Sequence, residues 1–116
     1  MDDATNRLRE ALIAERMELL ADSDAARAGR GPAELDQQSV GRLSRMDAMQ
    51  QQAMEVEGER RRRDRIRRID AALLRLDRGD YGDCVHCGEP IDDRRLALDA
   101  TTPLCADCAR ATQRGP

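Results

Sequence analysis

The stretch CVHCGEPIDDRRLALDATTPLCADC, residues 84–108, holds every cysteine of the 116-residue chain, as two CxxC pairs with 17 residues between them. Each pair, Cys84/Cys87 and Cys105/Cys108, lets two sulfurs grip one ion from a single tight turn. Two such turns complete a tetrahedron of thiolates around a metal. The arrangement falls in the range of four-cysteine zinc sites. Gly88, directly after Cys87, allows the backbone to curl so that amides point at sulfur charge. A thioredoxin-like redox site would need one CxxC in a βαβ setting, which is missing. A c-type haem site would need His after the second Cys, but the order here is Cys84-Val85-His86-Cys87-Gly88.

A single iron could take the same tetrahedral sulfur set. Rubredoxin-like proteins that hold one resemble the CxxCG turn, but their aromatic cores have no counterpart here, so zinc is the preferred ion. His86 is the only histidine, and in a CxxC turn the intervening side chains face outward. Four thiolates saturate zinc and leave no position for an activated water, so one structural Zn2+ and no catalysis are expected.

The rest of the composition agrees with a metal-supported fold. Charged residues make up 37% of the chain and aromatic residues 1%, with a net charge of −3. No large core can be built from this, and a bound metal with helices packed on one another is the usual remedy. All 20 basic residues are Arg, which reads as coding bias in a GC-rich, bacterial genome. The start, MDDATNRLRE, is acidic and lacks an apolar run, so no signal peptide is expected. No stretch approaches the roughly 18 to 20 apolar residues of a membrane span. A cytoplasmic, monomeric protein is expected, and in that reducing compartment paired cysteines favour metal over disulfide.

Upstream of the cysteines the periodicity is helical. Leu8, Leu12, Glu15 and Leu19 share one stripe, which predicts a helix over about 3–21. Gly29, Gly31 and Pro32 then cluster, so 22–39 reads as a loop. A long helix follows over about 40–78, with Ser39 as its N-cap. Met46, Met49, Ala53 and Val56 step at 3 and 4 along its first half, and Ile66, Ile69, Leu73 and Leu76 along its second. The gap from 56 to 66 breaks the register, so the halves are expected to pack on different partners, the first on the N-terminal helix. At 1.5 Å per residue a 39-residue helix reaches about 58 Å and must protrude from so small a protein. The fold class is therefore mainly α: an antiparallel helical hairpin (coiled coil), residues 1–78, on a small four-cysteine zinc-finger module with a short C-terminal helix, residues 79–116.

Two charge features remain. ERRRRDRIRRID, residues 59–70, carries seven Arg against three acids. A phosphate-contacting stripe would use Arg61, Arg65 and Arg68. However, the arginines span every face, no aromatics are interleaved, and acids surround them, which suits a solvated flank. The loop offers Asp22, Asp24, Glu34 and Asp36. These serve as turn formers or caps, or as carboxylates at a hairpin tip that reach into a channel or toward a cation.

The stretch from Arg65 to Cys108 resembles the DksA/TraR-type zinc-finger family. A long helix enters Gly79–Gly82, then come the Cys84 pair with Gly88 and Ile91, the segment Arg94-Arg95-Leu96, and Thr101 to Cys108. The resemblance implies a bacterial regulator that binds RNA polymerase rather than DNA, inserting its coiled coil into the secondary channel and altering open-complex lifetime. Some members act together with guanosine tetraphosphate.

This chain departs from the family in two places. The tip motif DxxDxA of the best-known members is absent, although Asp22, Asp24 and Asp36 remain the tip candidates. Members that respond to the nucleotide carry basic residues on the long helix, after the RRL segment and after the last Cys. Arg68 suits the first, but Asp99 and Ala109 stand at the others. An acid facing phosphate opposes binding, so little response is expected. The alternatives are a nucleic-acid-binding zinc protein using Arg60 to Arg68, and a zinc-finger adaptor for another protein.

Overall fold

The computed structural model describes residues 3–29 and 42–113. Four helices follow one another: α1 (Asp3–Gly29), α2 (Arg42–Arg78), α3 (Asp93–Leu98) and α4 (Ala106–Gln113). Among the described residues there is no strand, only an isolated antiparallel bridge between Asp83 and Pro90. The chain divides into two compact units, Met1–Ile13 with Arg67–Pro116, and Ala14–Ile66. No described helix is long and apolar enough to cross a membrane.

α1 runs on through Gly29, past the end expected at residue 21. The sequence DSDAARA supplies good helix formers, and Asp24 pairs with Arg27 one turn on. Arg27 also places a cation in the last turn, where the helix dipole favours it. Asp22 and Asp24 are therefore exposed helical residues rather than loop residues. The remainder of the expected loop, with Glu34, Asp36 and Ser39, lies outside the described residues.

In the first unit the core is small and mostly apolar, with Arg75 and Thr101 buried beside it. Among the described residues, Leu12 of α1, Ile69, Ala72 and Leu76 of α2, Cys84 and Ile91 are its buried hydrophobic residues. Ile69 and Ala72 are both 0% exposed, while Ile66 and Leu73 are only half-buried. The buried line of α2 thus runs 69, 72, 76, one step round from the expected 66, 69, 73, 76. Arg9 of α1 reaches Asp77 of α2 at 3.0 Å, which adds a polar tie to that core.

The second unit is held differently. Among its described residues the buried side chain is a serine, Ser23, at 7% exposure. Arg62 Nε donates to Ser23 Oγ at 3.1 Å, and Arg62 Nη2 to Glu59 at 2.9 Å. Arg65 holds Glu15 across the helix pair. As α1 advances from 15 to 23, α2 retreats from 65 to 62, so the two segments are antiparallel within this unit.

The least exposed line of α2 continues through Glu55, Gly58, Arg62 and Arg65 to Ile69, Ala72 and Leu76. Its steps are 3 and 4 throughout, the repeat of a coiled-coil seam. The register break between 56 and 66 is therefore absent from the seam itself. Met46, Met49 and Val56 stand 52%, 69% and 57% exposed, and do not pack on α1 as expected. They sit about half a helical turn from the seam. The described part of α1 beyond Ser23, DAARAG, also has no side chain larger than alanine that is apolar.

Candidate metal centre

α2 ends in a Schellman motif. Asp80 N–H donates to Arg75 O at 3.1 Å and Gly79 N–H to Leu76 O at 3.3 Å, with Gly79 left-handed at φ 85°. Gly82, at φ 93°, turns the chain again, directly before the first cysteine pair. Cys84 N–H then donates to Glu89 O at 2.8 Å, Gly88 N–H to Cys84 O at 2.9 Å, and Ile91 N–H to Gly82 O at 2.8 Å. These bonds close a tight knuckle around Cys84 and Cys87. Val85 and His86 of this knuckle are both exposed, and His86 is not part of the sulfur cluster.

The second pair is delivered by α3, an irregular arm and α4. Asp92 caps α3 by accepting from Arg94 N–H at 3.0 Å. The arm, residues 99–104, leads into Cys105, whose carbonyl accepts from Ala109 N–H at 2.9 Å as α4 begins. Cys108 N–H points at Cys105 Sγ at 3.4 Å.

The four sulfurs all lie within 4.8 Å of one another. Tetrahedral zinc–sulfur bonds of about 2.3 Å require sulfurs about 3.8 Å apart. Cys87 Sγ and Cys105 Sγ are 3.8 Å apart. The donor set and its spacing therefore fit a single tetrahedral zinc ion. The electrostatics agree. Backbone N–H groups of Cys105, then of Cys87 and His86, hold the Cys84 thiol down at about 6 against the effect of burial. A hydrogen bond with the Cys105 sulfur first, then burial and the other sulfurs, pushes Cys108 up to about 12. Four thiolates cannot coexist so closely without a cation, and a divalent metal supplies that charge as the thiols release their protons. Bound there, zinc contributes folding energy and has no open position for a substrate.

The charged candidates are dispersed. Arg60 bridges Glu57 at 2.6 Å and Asp64 at 2.7 Å, Arg62 and Arg63 both reach Glu59 at 2.9 Å, and Arg61 lies 3.9 Å from Glu57. Arg65 is engaged with Glu15, whereas Arg68 is exposed. The Arg-rich run is thus largely neutralised along its own helix.

A further group was not legible in the sequence. Arg75, Tyr81, Arg95 and Thr101 secure the arm before Cys105. Arg75 is 5% exposed although flanked by Leu74 and Leu76, and an arginine within an apolar helical run is the one signal that could have marked it.

Comparison with known proteins agrees with this geometry. Residues 79–114 match the family described as "Prokaryotic dksA/traR C4-type zinc finger". The solved structure of transcription factor DksA2 from Pseudomonas aeruginosa superposes with a TM-score of 0.75 at 31% identity, covering 97% of this chain and 86% of that one. The chain belongs to the DksA/TraR family of C4-type zinc-finger proteins. It is also similar to the RNA polymerase-binding transcription factor DksA of Haemophilus influenzae, 41% identical over 56 residues, or 48% of this chain and 39% of that protein. The Escherichia coli K12 protein of the same name is 36% identical over 56 residues, or 37% of its length. The matched segment thus spans less than two fifths of these curated relatives.

Proposed function

We propose that this chain is a non-enzymatic bacterial transcription regulator that binds RNA polymerase. The reading is supported most by the likeness to transcription factor DksA2, which extends over 97% of this chain and so through its long helices as well as its finger. In this reading residues 1–78 act as a helical hairpin and residues 79–116 as the finger that fixes its base through zinc. The hairpin enters the secondary channel of the polymerase, with Asp22, Asp24 and Asp36 toward the acting end. Arg61, Arg65 and Arg68 are secondary contact candidates on α2. Because polymerase is cytoplasmic, so is this protein. Guanosine tetraphosphate has little effect, since Asp99 and Ala109 stand where basic residues would be needed.

Direct nucleic-acid binding is the weaker alternative. Intrahelical ion pairs already occupy Arg60, Arg62 and Arg63, which weakens that part of α2 as a contact for a phosphate backbone. A pull-down with purified RNA polymerase, using wild type and an Asp22/Asp24/Asp36→Ala variant, tests the proposal. Wild type is captured without DNA and shifts open-complex lifetime, and the variant is captured but loses that shift. No capture of wild type sinks the reading. Binding to DNA alone that collapses with salt would favour the alternative.

A further inference from the structure

Cys105 reaches the metal centre at the end of a six-residue arm that is neither helix nor strand, yet the arm is fastened along its length. Tyr81 Oη donates to Ala100 O at 2.8 Å. Thr101, 1% exposed, donates from its N–H and its Oγ1 to Asp99 Oδ1 at 3.0 and 2.8 Å. Arg75 Nη2 donates to Thr101 O at 3.4 Å, Val85 N–H to Pro103 O at 2.9 Å, and Arg95 Nη2 to Leu104 O at 3.2 Å. The donors come from α2, from the turn after it, from the first cysteine knuckle and from α3. Each takes a different carbonyl, and the last of these directly precedes Cys105.

Arg75 is the costly member. Its guanidinium is buried at the last turn of α2 with Nε unpartnered, and no carboxylate pairs with it among the described residues. A buried cation without a counter-ion lowers stability, although the negative end of α2 offsets part of that. Tyr81 complements it: burial pushes its phenol up, so it remains a hydroxyl donor.

We propose that Arg75 and Tyr81 are positioning residues for the zinc centre: by fixing the carbonyls of Thr101 and Ala100 they pre-form the arm that delivers Cys105. The last turn of α2 and the second cysteine pair are then one coupled element. Without these bonds the arm must be ordered by the metal itself, and zinc affinity falls by the entropy of ordering it.

The test uses the zinc-loaded full chain and competition with a chromophoric chelator. Arg75→Met keeps the volume and apolar contact of the stem, and Tyr81→Phe deletes one hydroxyl. The exposed Arg94→Met is the control. Zinc affinity is expected to drop about 10- to 100-fold in Arg75→Met and less in Tyr81→Phe, the range typical of groups that orient metal ligands. With Co2+ in place of zinc, both variants should keep the ligand-field band of a four-thiolate tetrahedron, so the loss is in assembly of the site rather than in its ligands. Affinity in Arg75→Met no lower than in Arg94→Met overturns the proposal. A Co2+ spectrum that loses a thiolate also overturns it. If Arg75→Met does not fold with zinc, Tyr81→Phe decides, and an affinity equal to wild type rejects the role.

Discussion

Arg65 of α2 grips Glu15 of α1 with two prongs, Nε to Oε2 at 2.7 Å and Nη2 to Oε1 at 3.1 Å. This is the fork geometry in which guanidinium recognises carboxylate best. It sits in a seam position that a coiled coil ordinarily gives to leucine or isoleucine. With the neighbouring Arg62, Ser23 and Glu59 it makes the described pairing between residues 15–23 and 59–65 a polar one. Such positions set the register of paired helices more than they add stability.

Glu15→Ala is expected to cost about 1 kcal/mol, since the pair is half-exposed and partly screened. Joint replacement, Glu15→Leu with Arg65→Leu, should be neutral or stabilising, because an apolar seam pair removes two partly desolvated charges. Thermal melts at low and high salt check this. In about 1 M salt the screening length falls to about 3 Å. Backbone amides in 14–28 should then exchange faster, while those of Ile69 to Leu76 keep their protection. Equal protection in both segments would contradict the polar-seam account.

The same seam shows what the sequence made legible and what it hid. The cysteine spacing declared the metal centre, because tetrahedral ligation leaves little freedom in the turn that provides it. The α1 stripe of Leu8, Leu12, Glu15 and Leu19 is the less exposed face of that helix, as hydrophobic periodicity predicts. On α2 the same rule failed, since a period search cannot see Gly58, Arg62 and Arg65 as seam residues. It credited the equally periodic Met46, Met49 and Val56, which are exposed. Arg75 was hidden for a related reason: nothing in an arginine's identity says that its stem and head are buried.

Two glycines should respond oppositely to alanine. Gly58 lies inside α2, and a Cβ there would meet only Arg62 Nη1 at 3.5 Å, an ordinary contact. Gly58→Ala should therefore stabilise by about 0.5–1 kcal/mol through helix propensity. Gly88 has φ +81° and open space around a Cβ, so its alanine variant pays only for backbone strain, about 1–2 kcal/mol. Zinc-loaded thermal melts should move in opposite directions for the two. A Gly88→Ala protein as stable as wild type would remove the argument for a left-handed turn there.

Glu59 predicts a response to acid. Hydrogen bonds from Arg63, Ser23 and Arg62 lower its carboxyl to about 2, against an ordinary value of 4.5. A carboxylate depressed in the folded state contributes stability above its unfolded pKa and loses it as pH falls toward the folded value. That contribution should be present at pH 7 and decline between about pH 4.5 and 2. Helicity followed by circular dichroism through this window should fall less steeply in Glu59→Gln, which has nothing there to titrate. Parallel curves for the two proteins would mean that Glu59 is not part of the acid transition.

Metal removal provides the last test, and its outcome should be local. Among the described residues the first unit buries the hydrophobic side chains Leu12, Ile69, Ala72, Leu76, Cys84 and Ile91, and two of these lie in the finger. Cys84 is itself a ligand, and Ile91 is held by a 2.8 Å bond to Gly82 beside the first knuckle. Chelation thus removes the metal and part of the core together. Cys84→Ser should do the same, because a buried hydroxyl neither ionises nor binds zinc as a thiolate does. Hydrogen exchange should show the amides of Gly88, Ile91 and Ala109 losing protection, since their bonds to Cys84, Gly82 and Cys105 carbonyls form the two knuckles. The amides of α2 between 59 and 66 should change little, as they lie in the other unit and are supported by intrahelical ion pairs. Retained protection at Gly88 and Ala109 after chelation would show that the finger folds on its apolar core alone. Affinity should also rise with pH, because each cysteine thiol must release its proton before it can hold the metal.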